Sequence, residues 1–585
     1  MATVNHKKAI RAEQVTAFGG IDASASVGDG KIACDLKNFK VLADGSLKKR
    51  CGFATLASLP ASIRAMRTVQ DEGTLFLLAV AGRSLYRISV DGGEVLSSEC
   101  LDTESGEAVF FEHGGILYLL DGAELYRYDG GVSLSSVRGY IPLYGKNWNP
   151  YSSSNPIHEP INLFCDKIRI DYVESESENS ANRFPTGVKI KSVDKMVRYG
   201  VEQSLGSFTI SEDGTSVNFS LGQFLPLTLY VTVDRAYWHD AVLCSAKQVL
   251  TYEEPNRSFT VFTDCDKKGR VYASRQINSS LWATQTSLFS DLSSLYVAKD
   301  EWATFGNSRI TAVERLGNRL LFTSPSQAWI TEDLSEYPSF PFRMRMLSRT
   351  VGCTSSGGIT VARGNRPITL SSGGIFEWRI APDPANGFSL VRISTPIEPL
   401  LPPDFFTTAR LLYLPTADEL WAFLPHDPEG RVWIYHCDRK VWYSFVDIGA
   451  SYVADTVLGV CFASDSDVCR FDQSLGIDLC AFGEREIEGV CISPHMDFGN
   501  SETAKRALRV FVDADVGKGE LSLHLSGKRL LDELLFRGKG PGVFTYSSAV
   551  RRNRFSRLTV ALRACGRDPQ RIFGFCVHAS GGDNG

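Results

Sequence analysis

One pattern of apolar and polar positions recurs six times along the chain. Each copy is an apolar strand, a polar or glycine-bearing turn, and a second strand that carries an aromatic residue. The copies lie at 74–88, 116–128, 319–330, 367–380, 419–435 and 457–471. Two short strands joined by a tight turn of this kind predict a β-hairpin. The chain is therefore expected to be a series of hairpins.

The spacing of the copies indicates how the hairpins are arranged. Equivalent positions are Leu75, Leu117, Leu320, Ile368, Leu420 and Val460, and the intervals between them are 42, 203, 48, 52 and 40 residues. Repeats of a β-propeller, a ring of small sheets called blades, run about 40–50 residues. The interval of 203 therefore holds one repeat and a large insertion. We predict an all-β chain: a six-bladed β-propeller with an inserted β-domain and a C-terminal β-sandwich.

The same pattern sets the expected boundaries. Residues 1–60 are predicted to form an N-terminal arm and a closing hairpin, and 61–140 the first two blades. An inserted β-rich domain follows at 141–304, then blades three to six at 305–485, and the sandwich at 486–585. The aromatic residues of the repeats have two interpretations, a sugar-binding platform or packing between blades, and we favour packing. These aromatic residues are Tyr86, Tyr126, Trp329, Trp378 and Tyr435.

Composition narrows the classes of function. A chain of 585 residues should contain two to four domains. Its 62 basic and 67 acidic residues give a net charge of −5, so no overall positive field favours nucleic acid. The sequence has no apolar run of membrane-spanning length and no secretory signal, so the chain is expected to fold in a cytoplasm. Its 14 Cys form no Cys-x-x-Cys pair, which disfavours zinc.

Catalytic motifs are missing from the sequence. The GKGPG run at 538–542 lacks the Lys-Ser/Thr of a phosphate-binding loop, and none of the nine His forms a His-x-x-x-His pair. The run from Ser211 to Thr215 differs in spacing from the turns repeated in sialidase-like propellers. A glycosidase needs only two carboxylates across a cleft, and no pair stands out. The expectation is a protein that is not an enzyme and has no cofactor or metal.

Two basic runs are candidate interfaces. The first is Lys48-Lys49-Arg50, and the second begins at Arg551. The candidate residues of the second run are Arg551, Arg552, Arg554 and Arg557. Arginine makes planar bidentate contacts across interfaces, so a partner-facing role is one interpretation, and solvated strand faces are the other. A DNA-lining role is less favoured, because a strongly basic lining would hold the phosphates of passing DNA.

Three segments resemble bacteriophage tail structural proteins of the nozzle or tail-hub kind. The first contains Gly19-Gly20-Ile21, Leu36 and Asn38, and the Asp44 to Phe53 run DGSLKKRCGF, with Cys51 where Pro is more usual. The second runs from Ile157 to Leu163. The matched residues of the third are Asp497, Gly499, Lys505, Arg506 and Arg509. Together the segments cover about a quarter of the chain.

The resemblance implies a role in assembly. It implies a closed homo-oligomeric ring, expected to be a hexamer, around the DNA exit channel of a virion tail, below the portal and adaptor proteins. Such a ring would retain the genome, anchor tail fibres or spikes, and let double-stranded DNA pass without sequence-specific binding. It would assemble in the bacterial host cytoplasm, without membrane insertion by this chain. A threefold tail-tip or baseplate protein of a long-tailed phage, and a glycan-binding or glycan-cleaving propeller, stay open as alternatives.

Overall fold

The computed structural model describes residues 10–581 with sixteen gaps. The gaps are 26–30, 93, 138–139, 153–158, 175–178, 235–239, 255–256, 266–268, 275–294, 300, 306–307, 338–339, 381–387, 500–503, 528–529 and 551–553. The described residues form 49 strands, with only short helical turns between them. The chain is therefore nearly all β, as the alternating pattern predicted.

Five short strands precede the first repeat. They are β1 (Ile10–Val15), β2 (Asp35–Lys37), β3 (Phe39–Val41), β4 (Leu47–Lys49) and β5 (Gly52–Ser58). The first two repeats follow as four-stranded antiparallel sheets. Their strands are β6 (Ile63–Asp71), β7 (Thr74–Ala81), β8 (Ser84–Ser89) and β9 (Val95–Glu99), then β10 (Val109–His113), β11 (Ile116–Leu120), β12 (Leu125–Gly130) and β13 (Ser133–Ser136).

An inserted domain separates the second and third sheets of the repeat series. Its strands are β14 (Leu143–Trp148), β15 (Lys167–Tyr172), β16 (Ser180–Pro185), β17 (Ile190–Arg198), β18 (Val201–Gln203), β19 (Phe208–Ile210), β20 (Ser216–Phe224) and β21 (Leu227–Val233). They form a five-stranded and a three-stranded sheet, and a short helix, α1 (Asp240–Cys244), follows. Strand β15 alternates half-buried and buried residues, because Ile168, Ile170 and Tyr172 face a core shared with the neighbouring repeats.

Four sheets of the repeat series follow the insertion, up to residue 445. The third has three strands, and the fourth to sixth have four repeat strands each. The strands are β22 (Gln248–Glu254), β23 (Arg257–Thr263), β24 (Tyr272–Ala273), β25 (Ala312–Leu316), β26 (Arg319–Thr323), β27 (Ala328–Thr331), β28 (Met344–Ser348), β29 (Ile359–Ala362), β30 (Arg366–Ser371), β31 (Gly374–Ile380), β32 (Phe388–Arg392), β33 (Arg410–Leu414), β34 (Glu419–Phe423), β35 (Val432–His436) and β36 (Val441–Phe445). A 3-10 turn (Glu398–Leu400) and the helix α2 (Phe405–Thr408) precede β33.

The seventh sheet closes the ring with a strand from the N-terminal segment. It contains β37 (Tyr452–Thr456), β38 (Gly459–Ser464) and β39 (Asp467–Asp472), and β5 pairs antiparallel with β39. Strands β40 (Ile477–Cys480) and β41 (Gly483–Glu486) extend the same sheet. The first strand of each sheet contacts that of the next from β6 to β33, and β37 contacts β6. Thr416, just after β33, bonds Asp455 of β37 through its hydroxyl at 2.8 Å, which completes the cycle.

The expectation of six blades is corrected to seven sheets in the described ring. All six predicted hairpins are present, as the two middle strands of six of the sheets: β7–β8, β11–β12, β26–β27, β30–β31, β34–β35 and β38–β39. The sheet that the sequence pattern did not predict is β22–β24, which lies in the range 141–304 predicted for the insertion. Its third strand is only two residues long, so it lacks the full-length second hairpin strand that marks the other repeats. The inserted sheets end at Val233.

The C-terminal strands form two facing sheets with the N-terminal segment. The strands are β42 (Gly489–Ile492), β43 (Lys505–Asp515), β44 (Glu520–Gly527), β45 (Leu530–Arg537), β46 (Phe544–Ala549), β47 (Arg554–Phe555), β48 (Thr559–Cys565) and β49 (Arg571–Gly581). One sheet has the order β3-β4-β49-β43-β46, and β1 pairs along β49. In the other, β2 lies between β36 of the ring and β42, so the sixth ring sheet continues into the sandwich as nine strands.

Candidate functional site

The centre of the ring opens at one end into a cavity of about 600 Å³. All seven sheets contribute to its wall, and most of the residues that line it lie at or just before the first strand of a sheet. These residues include Arg64, Glu107, Lys247, Thr311, Gly357, Arg410 and Tyr452. A cavity of this volume is the size of an ordinary small-ligand site.

Arg64 is a structural residue of the cavity wall. Its side chain is buried, and all five N–H groups are used. Nε donates to the Gly106 carbonyl at 2.8 Å, and Nη1 donates to the carbonyls of Gly82 and Thr103 at 2.8 and 2.7 Å. Nη2 donates to the Thr103 hydroxyl and the Asp121 carbonyl at 2.7 and 2.8 Å. Arg64 therefore ties the first sheet to the second and has no donor left for a ligand.

Two further arginines of the cavity are only partly engaged. Arg410 donates from Nη2 to Glu107, and its guanidinium carbon lies 4.6 Å from the centre of the Tyr452 ring. Arg309 donates from Nε to Asp264, whose side chain is 5% exposed. Among the described residues each arginine gives one N–H to a carboxylate. Arg410 also hydrogen-bonds the Tyr452 side chain, and each arginine keeps further N–H groups for solvent or a ligand.

Lys247 is the unpaired cation of the cavity. Its side chain is exposed and has no hydrogen bond or ion pair within the described part of the chain. Strands β22 and β23 pair Gln248 with Thr263, and the next residues beyond that pair are Lys247, just before β22, and Asp264, just after β23. The Asp264 carboxylate, however, is engaged by Arg309. The third carboxylate of the cavity, Asp465, accepts a hydrogen bond from the Ser62 hydroxyl at 2.6 Å.

A second polar arrangement lies where the ring meets the sandwich. Arg50 and Asp478 form a bidentate ion pair with N···O distances of 2.7 and 2.8 Å, and each side chain is 1% exposed. Asn38 has a positive φ of 55°, and its Oδ1 accepts from Arg50 Nε at 2.9 Å and from the Val446 amide at 3.0 Å. Asn38 Nδ2 donates to the Glu488 carbonyl at 2.9 Å. Together, these bonds join the N-terminal segment, the sixth ring sheet, the seventh ring sheet and the start of β42.

The other two segments that carry the resemblance also contain buried anchors. Asn162 is fully buried and uses both ends of its amide, donating to the carbonyls of Tyr140 and Leu295 and accepting from the amides of Phe164 and Val297. Lys505 is 2% exposed at the start of β43, and burial lowers its pKa. The Phe498 carbonyl of the same segment accepts a hydrogen bond from the Arg11 guanidinium of β1 at 2.8 Å. Residues 157 and 158 lie outside the described residues.

The structure corrects part of the predicted interface. Lys49 and Arg50 are 2% and 4% exposed, so they are internal contacts of the fold. Lys49 donates to the Gly566 carbonyl, and burial lowers its pKa to about 8. Lys48 of the same run is exposed, because alternate residues of a strand point to opposite faces.

The second basic run is described only in part. Arg554 and Arg557 are exposed, and Arg551 and Arg552 lie outside the described residues. The prediction of an interface at these four positions therefore stays a prediction. Two arginines further along the same run, Arg567 and Arg571, form ion pairs within the chain with Glu484 and Asp44.

The aromatic residues of the repeats pack between sheets, as favoured from the sequence. Their exposed fractions lie between 2% and 8%; the residues are Tyr86, Tyr126, Trp329, Trp378 and Tyr435. Among the cysteines, Cys244, Cys353, Cys461 and Cys491 are buried, and Cys576 is half-buried. Burial raises the pKa of the Cys353 thiol to about 12.

The described residues contain no group of three or more His, Cys, Asp or Glu side chains placed to hold a metal ion. They also contain no helix long and apolar enough to cross a membrane. The turn at Ser211–Thr215 is a local structure, in which Asp213 accepts hydrogen bonds from the amide and hydroxyl of Thr215 at 3.0 and 2.7 Å. Those bonds and one from the Ser211 hydroxyl lower the pKa of Asp213 to about 2.

Comparisons with known proteins do not assign the chain to a family. No family model matches it, and no curated protein matches it. A computationally designed protein, Ika8, is similar over 72% of this chain and 100% of its own, with 11% identity and a TM-score of 0.35. A catalytically inactive virginiamycin B lyase from Staphylococcus aureus is similar over 72% and 98%, with 10% identity and a TM-score of 0.34. For a glycoside hydrolase the values are 90%, 99%, 8% and 0.22. These likenesses support no argument about function.

The cavity was not predicted from the sequence, although the chain carries a signal for it. Four of the seven sheets have a basic residue at or within three residues of the start of the first strand, namely Arg64, Lys247, Arg309 and Arg410. An alignment of the repeats on their first strands, and not on their middle hairpins, would have shown this recurrence.

Proposed function

We propose that this chain is a structural protein of a bacteriophage tail, one subunit of a nozzle or hub ring below the portal and adaptor. The observation that carries the proposal is the position of the residues that resemble those proteins. Asn38 and Arg50 sit at the junction of ring and sandwich, Asn162 where the insertion leaves the ring, and Lys505 at the start of the sandwich.

These residues are buried polar groups with specific partners. Such groups are costly to bury unless every hydrogen bond is made, so they fix how neighbouring parts of a chain are placed. A sequence pattern built from them therefore specifies a three-part architecture rather than a single turn or strand. The resemblance to the tail proteins thus extends to the joints of the fold, which supports a shared architecture and, with it, a shared role in assembly.

A closed ring needs two different contact surfaces on each subunit, because head-to-tail contacts join unlike patches. The first surface lies on the insertion, where Tyr199, Leu221 and Phe224 are 76%, 78% and 59% exposed. The Arg198 guanidinium lies 5.1 and 5.2 Å from the rings of Tyr199 and Phe224, so these side chains form one patch. We call it the insertion surface.

The second surface lies on β45, the last strand of the nine-stranded sheet. Leu531 and Leu535 are 84% and 55% exposed on one face, and Glu533 lies between them. We call it the β45 surface. Its acidic Glu533 complements Arg198 of the insertion surface, so a second copy of this chain is the partner we assign to both. Subunits joined in this way would carry tail fibres or spikes on their remaining faces.

Native mass spectrometry and negative-stain imaging of the purified chain test the proposal. A closed ring of about six subunits with a central opening wide enough for duplex DNA is the expected result. A trimer would instead favour a tail-tip or baseplate protein of a long-tailed phage. A chain that stays monomeric at all concentrations, and that does not join purified portal–adaptor complexes, would contradict the proposal.

A further inference from the structure

The central cavity has the chemistry of an anion site. Four cations line it, Arg64, Lys247, Arg309 and Arg410, against three carboxylates, Glu107, Asp264 and Asp465. Each carboxylate already accepts a hydrogen bond from within the chain. Lys247 accounts for the excess positive charge and is unpaired among the described residues. The cavity wall therefore has an excess positive charge that an anionic ligand would balance.

The free hydrogen-bonding groups point to the same chemistry. Arg309 donates one N–H group to a carboxylate, and Arg410 donates to a carboxylate and to Tyr452, so each keeps further N–H groups for a ligand, with side chains 47% and 25% exposed. A guanidinium held in place by one carboxylate is preorganised to donate to a second acceptor. Arg309 is bonded to Asp264, and Lys247 directly precedes the Gln248–Thr263 pair that Asp264 follows, so both cations belong to one part of the cavity wall and can receive one anionic group together.

Part of the wall suits a ligand that carries hydroxyl groups. Ser355, Thr407 and Thr408 line the cavity, and their hydroxyls donate to backbone carbonyls at 3.3, 2.7 and 3.1 Å. Their oxygens thus keep lone pairs that can accept from a ligand. A ligand with an anionic group at one end and hydroxyl groups at the other would satisfy both parts of the wall.

We propose that the central cavity binds an acidic saccharide, with its carboxylate at Lys247 and Arg309 and its hydroxyls toward Ser355, Thr407 and Thr408. The cavity volume of about 600 Å³ accommodates a unit of two or three sugars. The same cations would also attract inorganic phosphate, so the two sources must be separated by experiment. The proposal concerns a cavity inside one subunit and does not depend on the proposed ring of subunits.

Isothermal titration calorimetry at low salt tests the site with three probes: digalacturonate, inorganic phosphate and the neutral disaccharide maltose. Digalacturonate is expected to bind, more weakly as salt rises, and maltose is expected to bind at least tenfold more weakly. Lys247→Ala should weaken digalacturonate binding about tenfold, since it removes a charge-assisted hydrogen bond. Its melting temperature should match that of the parent chain, because Lys247 has no partner to lose among the described residues.

Lys191→Ala is the matched control, because Lys191 is an exposed lysine of the insertion, away from the cavity. It should bind digalacturonate as the parent does. Failure of the parent chain to bind digalacturonate would overturn the proposal, as would equal binding by Lys247→Ala. Binding of phosphate without digalacturonate would overturn the saccharide assignment.

Discussion

Arg50 and Asp478 form a bidentate ion pair that is closed to solvent, with both side chains 1% exposed. The pair connects the segment before β5 with β40, so it lies beside the strand that closes the ring. Arg485 adds a third contact, from Nη2 to Asp478 Oδ2 at 3.1 Å. The closing strand is thus held by a charged contact in addition to its sheet hydrogen bonds.

Breaking this pair should be costly. Asp478→Asn leaves the Arg50 charge buried without a carboxylate, and removal of one partner of a buried pair costs about 3–5 kcal/mol. The expected result is a lower melting temperature and faster hydrogen exchange in β5 and β39. The double variant Arg50→Met/Asp478→Leu should recover most of the loss, because apolar residues can replace a buried pair.

An exposed pair provides the comparison. Arg537 and Glu520 lie 3.4 Å apart with side chains 81% and 51% exposed. Arg537→Met should change the free energy of unfolding by less than about 1 kcal/mol. If Asp478→Asn were no more damaging than Arg537→Met, the assigned role of the buried pair at the ring closure would be wrong.

Gly52 should not accept a side chain. A Cβ at this position would lie 1.7 Å from the carbonyl oxygen of Ile477, so β5 or β40 would have to move. We expect Gly52→Ala to cost about 3 kcal/mol, as overpacking against backbone does. Hydrogen exchange measured by mass spectrometry should show local opening of β5 before the other strands.

Gly373→Ala is the matched control for that substitution. Gly373 is exposed, and the nearest atom to its added Cβ would be a ring carbon of Phe376 at 3.9 Å. Its melting temperature and exchange pattern should stay those of the parent chain. Unchanged exchange in β5 of Gly52→Ala would show that the closure tolerates the shift.

His113 should make stability depend on acid pH. Its ring is fully buried, with Nδ1 2.7 Å from the Thr260 hydroxyl of the neighbouring sheet, and burial lowers its pKa from 6.5 to about 4. Below pH 6.5, His113 is protonated in the unfolded chain but stays neutral in the folded chain. The free energy of unfolding therefore falls as the pH drops toward 4. The loss contributed by this group is about 3 kcal/mol in total.

The variant His113→Asn isolates this contribution, since other groups also titrate in acid. Urea unfolding at a series of pH values from 7 to 4 should show a flatter stability profile for His113→Asn than for the parent chain. Parallel profiles would mean that folding does not lower the pKa of His113.

The sequence predicts the repeats better than their number. The six hairpins are visible in the sequence because the first strand of each is largely apolar and mostly buried, as in β34, where all five residues from Glu419 to Phe423 are buried. The sheet at β22–β24 escaped because its third strand is two residues long and a long insertion precedes it. The spacing of the hairpin pattern predicts only those sheets in which both hairpin strands are present at full length.

The candidate sites follow the same rule. Lys48, Lys49 and Arg50 form one charged run in sequence, yet the fold buries the last two, because pairing with Gly566 and Asp478 depends on residues more than 400 positions away. The cavity likewise combines residues from seven sheets, with charges from six of them, and no single repeat contains more than a fragment of it. Local patterns could not show either arrangement.

The proposed ring of subunits leads to a prediction that distinguishes head-to-tail contacts between subunits from two-fold contacts. In one variant, Tyr199→Ser/Phe224→Ser removes the insertion surface, and in another, Leu531→Ser/Leu535→Ser removes the β45 surface. These side chains are all at least half exposed, so each folded subunit should keep its melting temperature. Each variant alone should remain monomeric, because a head-to-tail contact needs one surface of each kind.

A mixture of the two variants should form dimers and nothing larger. The intact β45 surface of the first can bind the intact insertion surface of the second, and both remaining surfaces are then defective. Native mass spectrometry reads this directly, with Val457→Ser, which alters a residue 90% exposed on the seventh ring sheet, as a control that should still form rings. Dimers of either variant alone would mean that a surface pairs with itself. That result would contradict the head-to-tail arrangement, because a self-complementary contact closes at two subunits and cannot build a ring.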